Sequence, residues 1–562
     1  MNLRNIMEKI EAFVKKHPVA SLAGYVAVML SIGTLGMEIT RINIRFALMT
    51  QEMAHQPIGC FPTINGHPYA DYPVLYNLFS YWTSFGARFV NHFTLSLPTI
   101  LFSCYTLVMT AKIGERIRPG LGIAAALFSL LSLEYLNIFI QFSIDMPVAA
   151  AAVTIVYFLL KYDYSFRALP IYMLCLAGAF LIRGPLGIIL AGGVAAGVIV
   201  GARRWMAILT FGAAGALTAA LCLALSVWAI RAQGGDGLLR DVIEWQVSSR
   251  IEGGDIFYYF TNAMGSFALT SFMALSVVLM KRRELIKPPL APLFLWILLP
   301  MILLSIPGCK HLRYLSPALP GFALVAAYGY TAPDDSLWAK ILLRGTAFID
   351  RIFYPLIGTA ICVFTVYLCF TPHVKFIGYS ISALAVLTLI FFALRGKSGK
   401  LLPPLRLALY GTAFVALIYP PVEAVAENAS LFVNAAEARR RGGLYFFRMG
   451  PDHDDLKYLF HLPYEKRGTA IYLSLRGKAK KHGGDGGKLL DRMYPVKSAD
   501  EVIPALGPND MIITVDKRYK ALVQIAGKYN KQINTVVKGQ LGHREAMAVT
   551  LTDRAPAGEK KP

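Results

Sequence analysis

Apolar residues dominate the first three quarters of the chain and then give way abruptly. Between residues 19 and 422 apolar runs recur, most of them near the ~20 residues that carry a helix across a ~30 Å hydrocarbon layer. They fall at 18–36, 93–112, 120–133, 146–160, 169–182, 185–202, 206–230, 262–280, 289–306, 317–332, 353–370, 376–394 and 405–422, about thirteen in all. From residue 423 the pattern becomes polar. Short strand-like runs "AIYLSL" (470–475), "MIITVD" (511–516) and "AMAVTL" (546–551) are separated there by Gly-, Pro- and Lys-rich segments, with a helical "ADEVIPAL" (499–506) between two of them. The pattern predicts a polytopic α-helical membrane protein over 1–422, with a small soluble α/β domain over 423–562. No repeat at a fixed period interrupts it.

Charge adds a direction. The chain is 56% hydrophobic and only 16% charged, yet its formal net charge is +22. Most of the basic residues of the membrane half sit in short loops, "KIGERIR" (112–118), "KYDYSFR" (161–167), Arg203 with Arg204, "KRRELIK" (281–287) and "RGKSGK" (395–400). Positive loops of this kind face the cytoplasm, so the charge reports topology and calls for no nucleic acid. The opposite face then receives the long loop 37–92, residues 134–145, the turn at Arg183, residues 231–260 and 307–316, and the tail. The opening "MNLRNIMEKIEAFVKKH" reads as a basic amphipathic lead-in to an uncleaved first span. The seven cysteines suggest no disulfide framework, although Cys60 and Cys309 both fall on the external side.

Ionisable residues collect on that external side. Glu38, Glu52, Asp71, Glu134, Asp145, Glu244, Glu252 and Asp255 lie there with Arg41, Arg45, Arg183, Arg250, Lys310 and Arg313. Solvated loops are charged in any case, so single members carry little weight. Asp145 in "SIDMP" and Arg183 in "LIRGPLG" differ, because each stands at the mouth of an apolar run, where an ionisable group is costly unless paired or functional. Carboxylates and guanidinium groups at one membrane face suit chemistry on a lipid-linked phosphate. Arginine forks would hold the phosphate, and one carboxylate would take the proton of a hydroxyl attacking the sugar's anomeric carbon. No P-loop, CxxC pair or Ser-His-Asp arrangement points to ATP-driven or acyl chemistry. Two amphipathic helices are expected in the long loop. "INIRFALMTQEM" (42–53) places Ile42, Phe46, Met49 and Met53 on one face, and "YNLFSYW" (76–82) is anchored by Tyr81 and Trp82.

The order of these features resembles the GT-C glycosyltransferases of the protein-mannosyltransferase-like, glycosyltransferase-39 type, and most closely the bacterial lipid A aminoarabinose transferases. That family carries an acidic pair and Thr-Arg in its first external loop, then "EM", then "G-x-x-Y-x-x-K-P". Here the positions read "INIR", "QEM" and "NGHPYADYP". The family's arginine matches Arg45 and its later acid matches Asp71, while its lysine is replaced by Tyr72. The acidic pair falls on Ile42 and Asn43, neither of which is a base, and Glu38 in "GMEITR" is the nearest acid. A family Asp matches Asp145, the basic-Gly turn matches Arg183 in "RGPLG", and a "K-x-x-x-Y" loop matches Lys310 and Tyr314.

The resemblance implies a GT-C membrane protein with about thirteen spans and an external C-terminal domain. Its implied activity is inverting transfer of a sugar from a polyprenyl-phosphate donor to a lipid, glycan or protein acceptor outside the bacterial inner membrane. Glu38, Asp145 and Asp71 are the candidate carboxylates. Arg41, Arg45, Arg183, Lys310, His311 and Arg313 are candidates for the phosphate, and Tyr72 and Tyr314 for stacking on sugar or lipid. No particular cofactor is implied, and a divalent metal at Asp71 stays open. A non-catalytic binder or transporter of lipid-linked glycans is the competing expectation, because the acidic pair is altered. The tail is expected to act as a structural cap resting against anionic lipid or glycan.

Overall fold

Each of the apolar runs folds as helix. The computed structural model describes residues 12–35, 37–39, 43–140, 142–248, 254–332, 337–370, 376–426, 429–447, 453–467, 469–474, 496–541 and 544–554. They fall into two units, one within Met1–Met37, Ala70–Thr83 and His92–Pro421, the other within Glu38–Tyr69, Ser84–Asn91 and Val422–Pro562.

The first unit is helical. Among the described residues, seven helices are long and apolar enough to cross a membrane, or eight if the bent pair Tyr258–Ser266 and Thr270–Met280, 118° apart, counts as one span. Among the other apolar runs, Leu121–Leu130, Pro185–Gly201 and Leu290–Ser305 form shorter helices. Backbone proximity holds some of them together. An added Cβ at Gly197 would meet the Leu295 carbonyl oxygen, and one at Gly201 would stand 2.5 Å from the Pro292 nitrogen. Glycine at these positions lets Pro185–Gly201 lie directly on Leu290–Ser305, the small-residue packing that replaces hydrophobic attraction in lipid.

The helix Trp205–Ile243 runs beyond its expected end at 230 and breaks at Gly234 (φ −152°) and Gly235 (φ 66°), so part of the expected external loop is helical. Residues Glu244–Ser248 continue it as one π-helical turn. Elsewhere in this unit Asp350, 6% exposed on the helix Leu337–Cys369, meets Arg406 in a two-pronged ion pair. Arg406 Nε donates to both carboxylate oxygens at 3.1 and 3.0 Å, and Nη2 also donates to Oδ2. Asp350→Ala leaves a guanidinium without its counter-charge and should cost about 2–4 kcal/mol, moderated by the partial exposure of Arg406. Thermal unfolding in detergent checks this, and Asp350→Ala combined with Arg406→Met should recover most of the loss.

The second unit holds a six-stranded sheet in the order β5-β4-β3-β6-β8-β7. Its strands are β3 Leu444–Phe447, β4 Ala470–Ser474, β5 Val496–Ser498, β6 Met511–Val515, β7 Lys531–Leu541 and β8 Arg544–Asp553. The first four are mutually parallel, and β8 joins β6 and β7 antiparallel. β6 is buried at every residue, as a central strand covered on both faces must be. Its Ile512 joins Phe447, Leu473, Leu522, Val549 and Leu551 in the core. β7 lies at an edge and carries Lys531, Gln532, Asn534 and Lys538, with a bulge between Thr535 and Val537, devices that blunt an open edge.

The expected helix 42–53 is present as Asn43–Glu52, but it is buried almost all round, with only Arg45 and Gln51 partly exposed. A two-residue ladder follows, β1 Thr63–Ile64 with β2 His67–Pro68, turned by Asn65 (φ 53°) and Gly66 (φ 75°). The Asn-Gly pair supplies the two left-handed residues of a type I′ turn. Buried Glu52 secures the turn by accepting the backbone N–H groups of Asn65 and, at 3.1 Å, Gly66. All seven cysteines are free thiols.

Candidate functional site

Helix ends in the first unit bring charge together. Asp145 opens the helix Asp145–Lys161, where a carboxylate complements the positive end of the helix dipole. Arg183 closes Leu169–Arg183, where a cation complements the negative end. The turn after it is the single residue Gly184, whose φ of 64° and ψ of −151° suit glycine, and Pro185 starts the next helix. The 3₁₀ segment Leu312–Ala318 supplies Arg313 and Tyr314, and is secured by Trp296, fully buried, whose Nε1 donates to the Pro317 carbonyl at 2.8 Å.

The charges meet at Asp145, which is 0% exposed. Arg183 Nε stands 3.0 Å from Oδ1, and Arg313 Nε stands 3.5 Å from Oδ2. The Arg183 guanidinium packs over two phenol rings, 4.9 Å from the centroid of Tyr72 and 4.8 Å from that of Tyr314. Arg313 lies 5.8 Å from the Tyr314 ring. Asp71 and Tyr72 are buried at 8% and 4% exposure, immediately before the helix Leu75–Thr83. This helix has the expected amphipathic form, with Tyr76, Asn77 and Ser80 buried and Trp82 exposed.

The ion pairs are close but poorly aligned. Among the described residues, no aligned hydrogen bond reaches either carboxylate oxygen of Asp145, Nε or Nη2 of Arg183, or Nε of Arg313. Buried charge in that condition is expensive for folding alone, which singles this cluster out as the candidate site. Hydrogen bonds hold the backbone that carries Asp145. The Asp145 backbone N–H donates to Ser143 Oγ at 3.3 Å, the Ser143 N–H donates to Thr99 Oγ1 at 3.0 Å, and Thr99 Oγ1 lies 2.5 Å from the Tyr76 hydroxyl.

Other candidates are placed differently. Lys310 Nζ donates to the Leu304 and Ser305 carbonyls at 2.9 and 2.6 Å, capping the end of Leu290–Ser305. Burial lowers its amine below the ordinary lysine value, with Asp255 working the other way. The His311 backbone N–H donates to the Tyr259 hydroxyl at 3.2 Å, and its ring meets Tyr314 edge-on at 5.2 Å. Glu134, on the helix Leu133–Ile140, has its carboxyl raised by burial against the opposing influence of Asn137 and Arg313.

Glu38 and Arg45 belong to the second unit. Glu38 accepts the Ser430 hydroxyl at 2.6 Å and the Ala429 N–H at 3.3 Å, with buried Lys457 Nζ at 3.7 Å. These contacts engage both of its carboxylate oxygens. Arg45 Nη1 donates to the Tyr69 hydroxyl at 2.9 Å. Arg41, Ile42, Arg250 and Glu252 lie outside the described residues. No group of three or more His, Cys, Asp or Glu side chains suited to a metal occurs among the described residues, at Asp71 or elsewhere.

Sequence reasoning passed over Tyr259 and Gln246. Tyr259 is one ring in the aromatic run "FYYF", and Gln246 lies in a polar stretch with no motif around it. Gln246 Nε2 donates to the Ala70 and Asp71 carbonyls at 3.1 and 3.3 Å.

No family model matches the chain, and no curated protein matches it in sequence. Among solved structures it is similar to ArnT from Cupriavidus metallidurans bound to undecaprenyl phosphate, with a TM-score of 0.65 and 17% identity over 93% of this chain and 97% of that chain. The apo state of the same protein gives the same values, 0.65, 17%, 93% and 97%. An oligosaccharyltransferase from Archaeoglobus fulgidus, in complex with zinc and sulfate, gives a TM-score of 0.42 at 12% identity over 90% of this chain and 69% of that one, too low to argue from. The chain has a GT-C fold resembling that of ArnT.

Proposed function

We propose that this protein is an integral-membrane glycosyltransferase that moves a sugar from a polyprenyl-phosphate donor to a lipid or cell-envelope acceptor, on the external face of the inner membrane and with inversion. The observation that carries the reading is the pair of arginines at Asp145, Arg183 buried and Arg313 partly exposed, with Arg183 Nη2 lacking an aligned acceptor among the described residues. A phosphate offers the oxygens that these forks lack, and charge-assisted contacts to it are about twice as strong as neutral hydrogen bonds. The ArnT structure of the same fold holds undecaprenyl phosphate, which supports this class of ligand.

Transfer then follows as a single displacement. The acceptor hydroxyl oxygen attacks the anomeric carbon, the bond from that carbon to the phosphate oxygen breaks, and its electron pair leaves with polyprenyl phosphate. Arg183 and Arg313 stabilise the growing phosphate charge. Asp145 faces both guanidinium groups, and the reading gives it the task of orienting them. The hydroxyl proton is assigned to Asp71, on the loop that carries Tyr72.

The test incubates purified protein with undecaprenyl phosphate carrying a labelled sugar, together with membrane extract. Label moving into a lipid- or glycan-linked product, with undecaprenyl phosphate released in equal amount, is expected. Label in protein would overturn the acceptor class, and a donor that binds but stays intact would replace the enzyme with a binder. In the active case Asp71→Asn should lower turnover by about 100-fold or more.

A further inference from the structure

We infer that Gln246 is a positioning residue that holds the Asp71–Tyr72 loop against the Arg183–Gly184 turn, so that one side-chain amide sets the geometry of the proposed phosphate site. The inference deepens the glycosyltransferase reading and rests on it for its catalytic consequence. Gln246 sits in the π-helical turn Glu244–Ser248, beyond the Gly234–Gly235 break in the preceding helix. The wider π turn admits an extra residue and redirects the side chains around it, which is why such turns recur at functional sites.

The amide of Gln246 works at both ends. Nε2 donates to the carbonyls of Ala70 and Asp71 at 3.1 and 3.3 Å. These are the two carbonyls immediately before Tyr72, and fixing them fixes the direction in which Tyr72 leaves the backbone. Oε1 faces Gly184 so closely that an added Cβ there would stand 2.5 Å from it. Arg183, the neighbour of that glycine, presents its guanidinium 4.9 Å from the Tyr72 ring. Tyr72 and Arg183 are therefore registered against each other through a residue that touches neither side chain in any contact described above.

The chemistry at position 246 is restrictive. Glutamate keeps the shape but replaces the donor with a charged acceptor aimed at two carbonyls. Asparagine is one methylene short. Gly184 is restricted twice, by its φ of 64° and by the Gln246 amide.

Misplacing reacting groups by about 1 Å costs on the order of 100-fold in rate. Gln246→Ala should therefore lower kcat for transfer by about 10- to 100-fold, with KM for the donor changed only a few-fold, and Gln246→Glu should be worse. Gly184→Ala should resemble Gln246→Ala. Because its clash is with the Gln246 side chain, the double variant should be about as active as the poorer single variant, well above the product of the two losses.

Hydrogen–deuterium exchange supplies a readout independent of turnover. In Gln246→Ala, amides of residues 69–76 should exchange about 10-fold faster or more, while those of the helix Asp145–Lys161 stay as they are. Unchanged exchange at 69–76 would overturn the inference, and so would faster exchange with normal kcat. If the unsubstituted protein transfers no sugar, the glycosyltransferase reading fails, and the exchange result alone still decides whether Gln246 holds the loop.

Discussion

Replacing Arg183 with lysine should lower sugar transfer by about 100-fold or more while the protein remains folded. Lysine keeps the charge opposite Asp145, so the ion pair persists as a point-charge contact and the buried carboxylate is not abandoned. What it loses is the planar fork. Arg183 packs over both the Tyr72 and the Tyr314 ring, contacts that suit a flat guanidinium better than a tetrahedral ammonium. It also aims Nε at Asp145 while Nη2 stays available in a buried position. Lysine cannot serve a carboxylate and a phosphate in two directions with one fixed geometry. Steady-state transfer assays and thermal unfolding of the same preparations check the claim. Near-normal transfer by Arg183→Lys would remove the fork from the account.

The second large effect is expected at Asp145. Asp145→Asn removes the negative charge that faces two guanidinium groups, and uncompensated buried charge should cost about 3 kcal/mol of stability. Transfer should fall by about 100-fold or more, because the two forks lose their common reference point. Undecaprenyl phosphate should then restore part of the lost stability, since its phosphate brings back a negative charge. The ligand-induced rise in Tm should accordingly be larger for Asp145→Asn than for the unsubstituted protein at equal saturation. Combining Asp145→Asn with Arg183→Met should recover stability without recovering transfer. A site in which Asp145 served only as a proton acceptor would lose activity without showing these stability changes.

Much of this was legible along the chain, for physical reasons. A helix in lipid must be long and apolar, and the residues that violate that rule, Asp145 and Arg183, announce themselves at its ends. Their neighbours Tyr72 and Tyr314 stand in ordered motifs and Arg313 among the external charges, and the structure brings them together. The number of crossings was less legible, because hydropathy does not show where a run folds into a short or bent helix, as at Tyr258–Ser266 and Thr270–Met280. In the C-terminal sheet the strands β4, β6 and β8 stand out as apolar runs, whereas β3 is only four residues long and β7 is interrupted by lysine and polar residues.

Glu38 shows the opposite limit. An acid in the right part of a loop reads as a candidate base, yet whether its oxygens are already engaged depends on Ser430, Ala429 and Lys457, about 400 residues away. Lys310 is similar on a shorter scale, since its sequence position does not reveal that two helix-end carbonyls take its ammonium. Gln246 had no signal at all, because a neutral amide between two loops follows no periodicity.

The central claim is that buried Arg183 and partly exposed Arg313, both at Asp145, bind the phosphate of a polyprenyl carrier. The most direct measurement compares undecaprenyl phosphate with undecaprenol, the same chain without the phosphate, for binding to the purified protein and to Arg183→Met. The account predicts that the phosphate strengthens binding by about 100-fold or more in the unsubstituted protein and that most of this difference disappears in Arg183→Met. Equal affinity for the two lipids, or a phosphate preference that survives Arg183→Met unchanged, would contradict it.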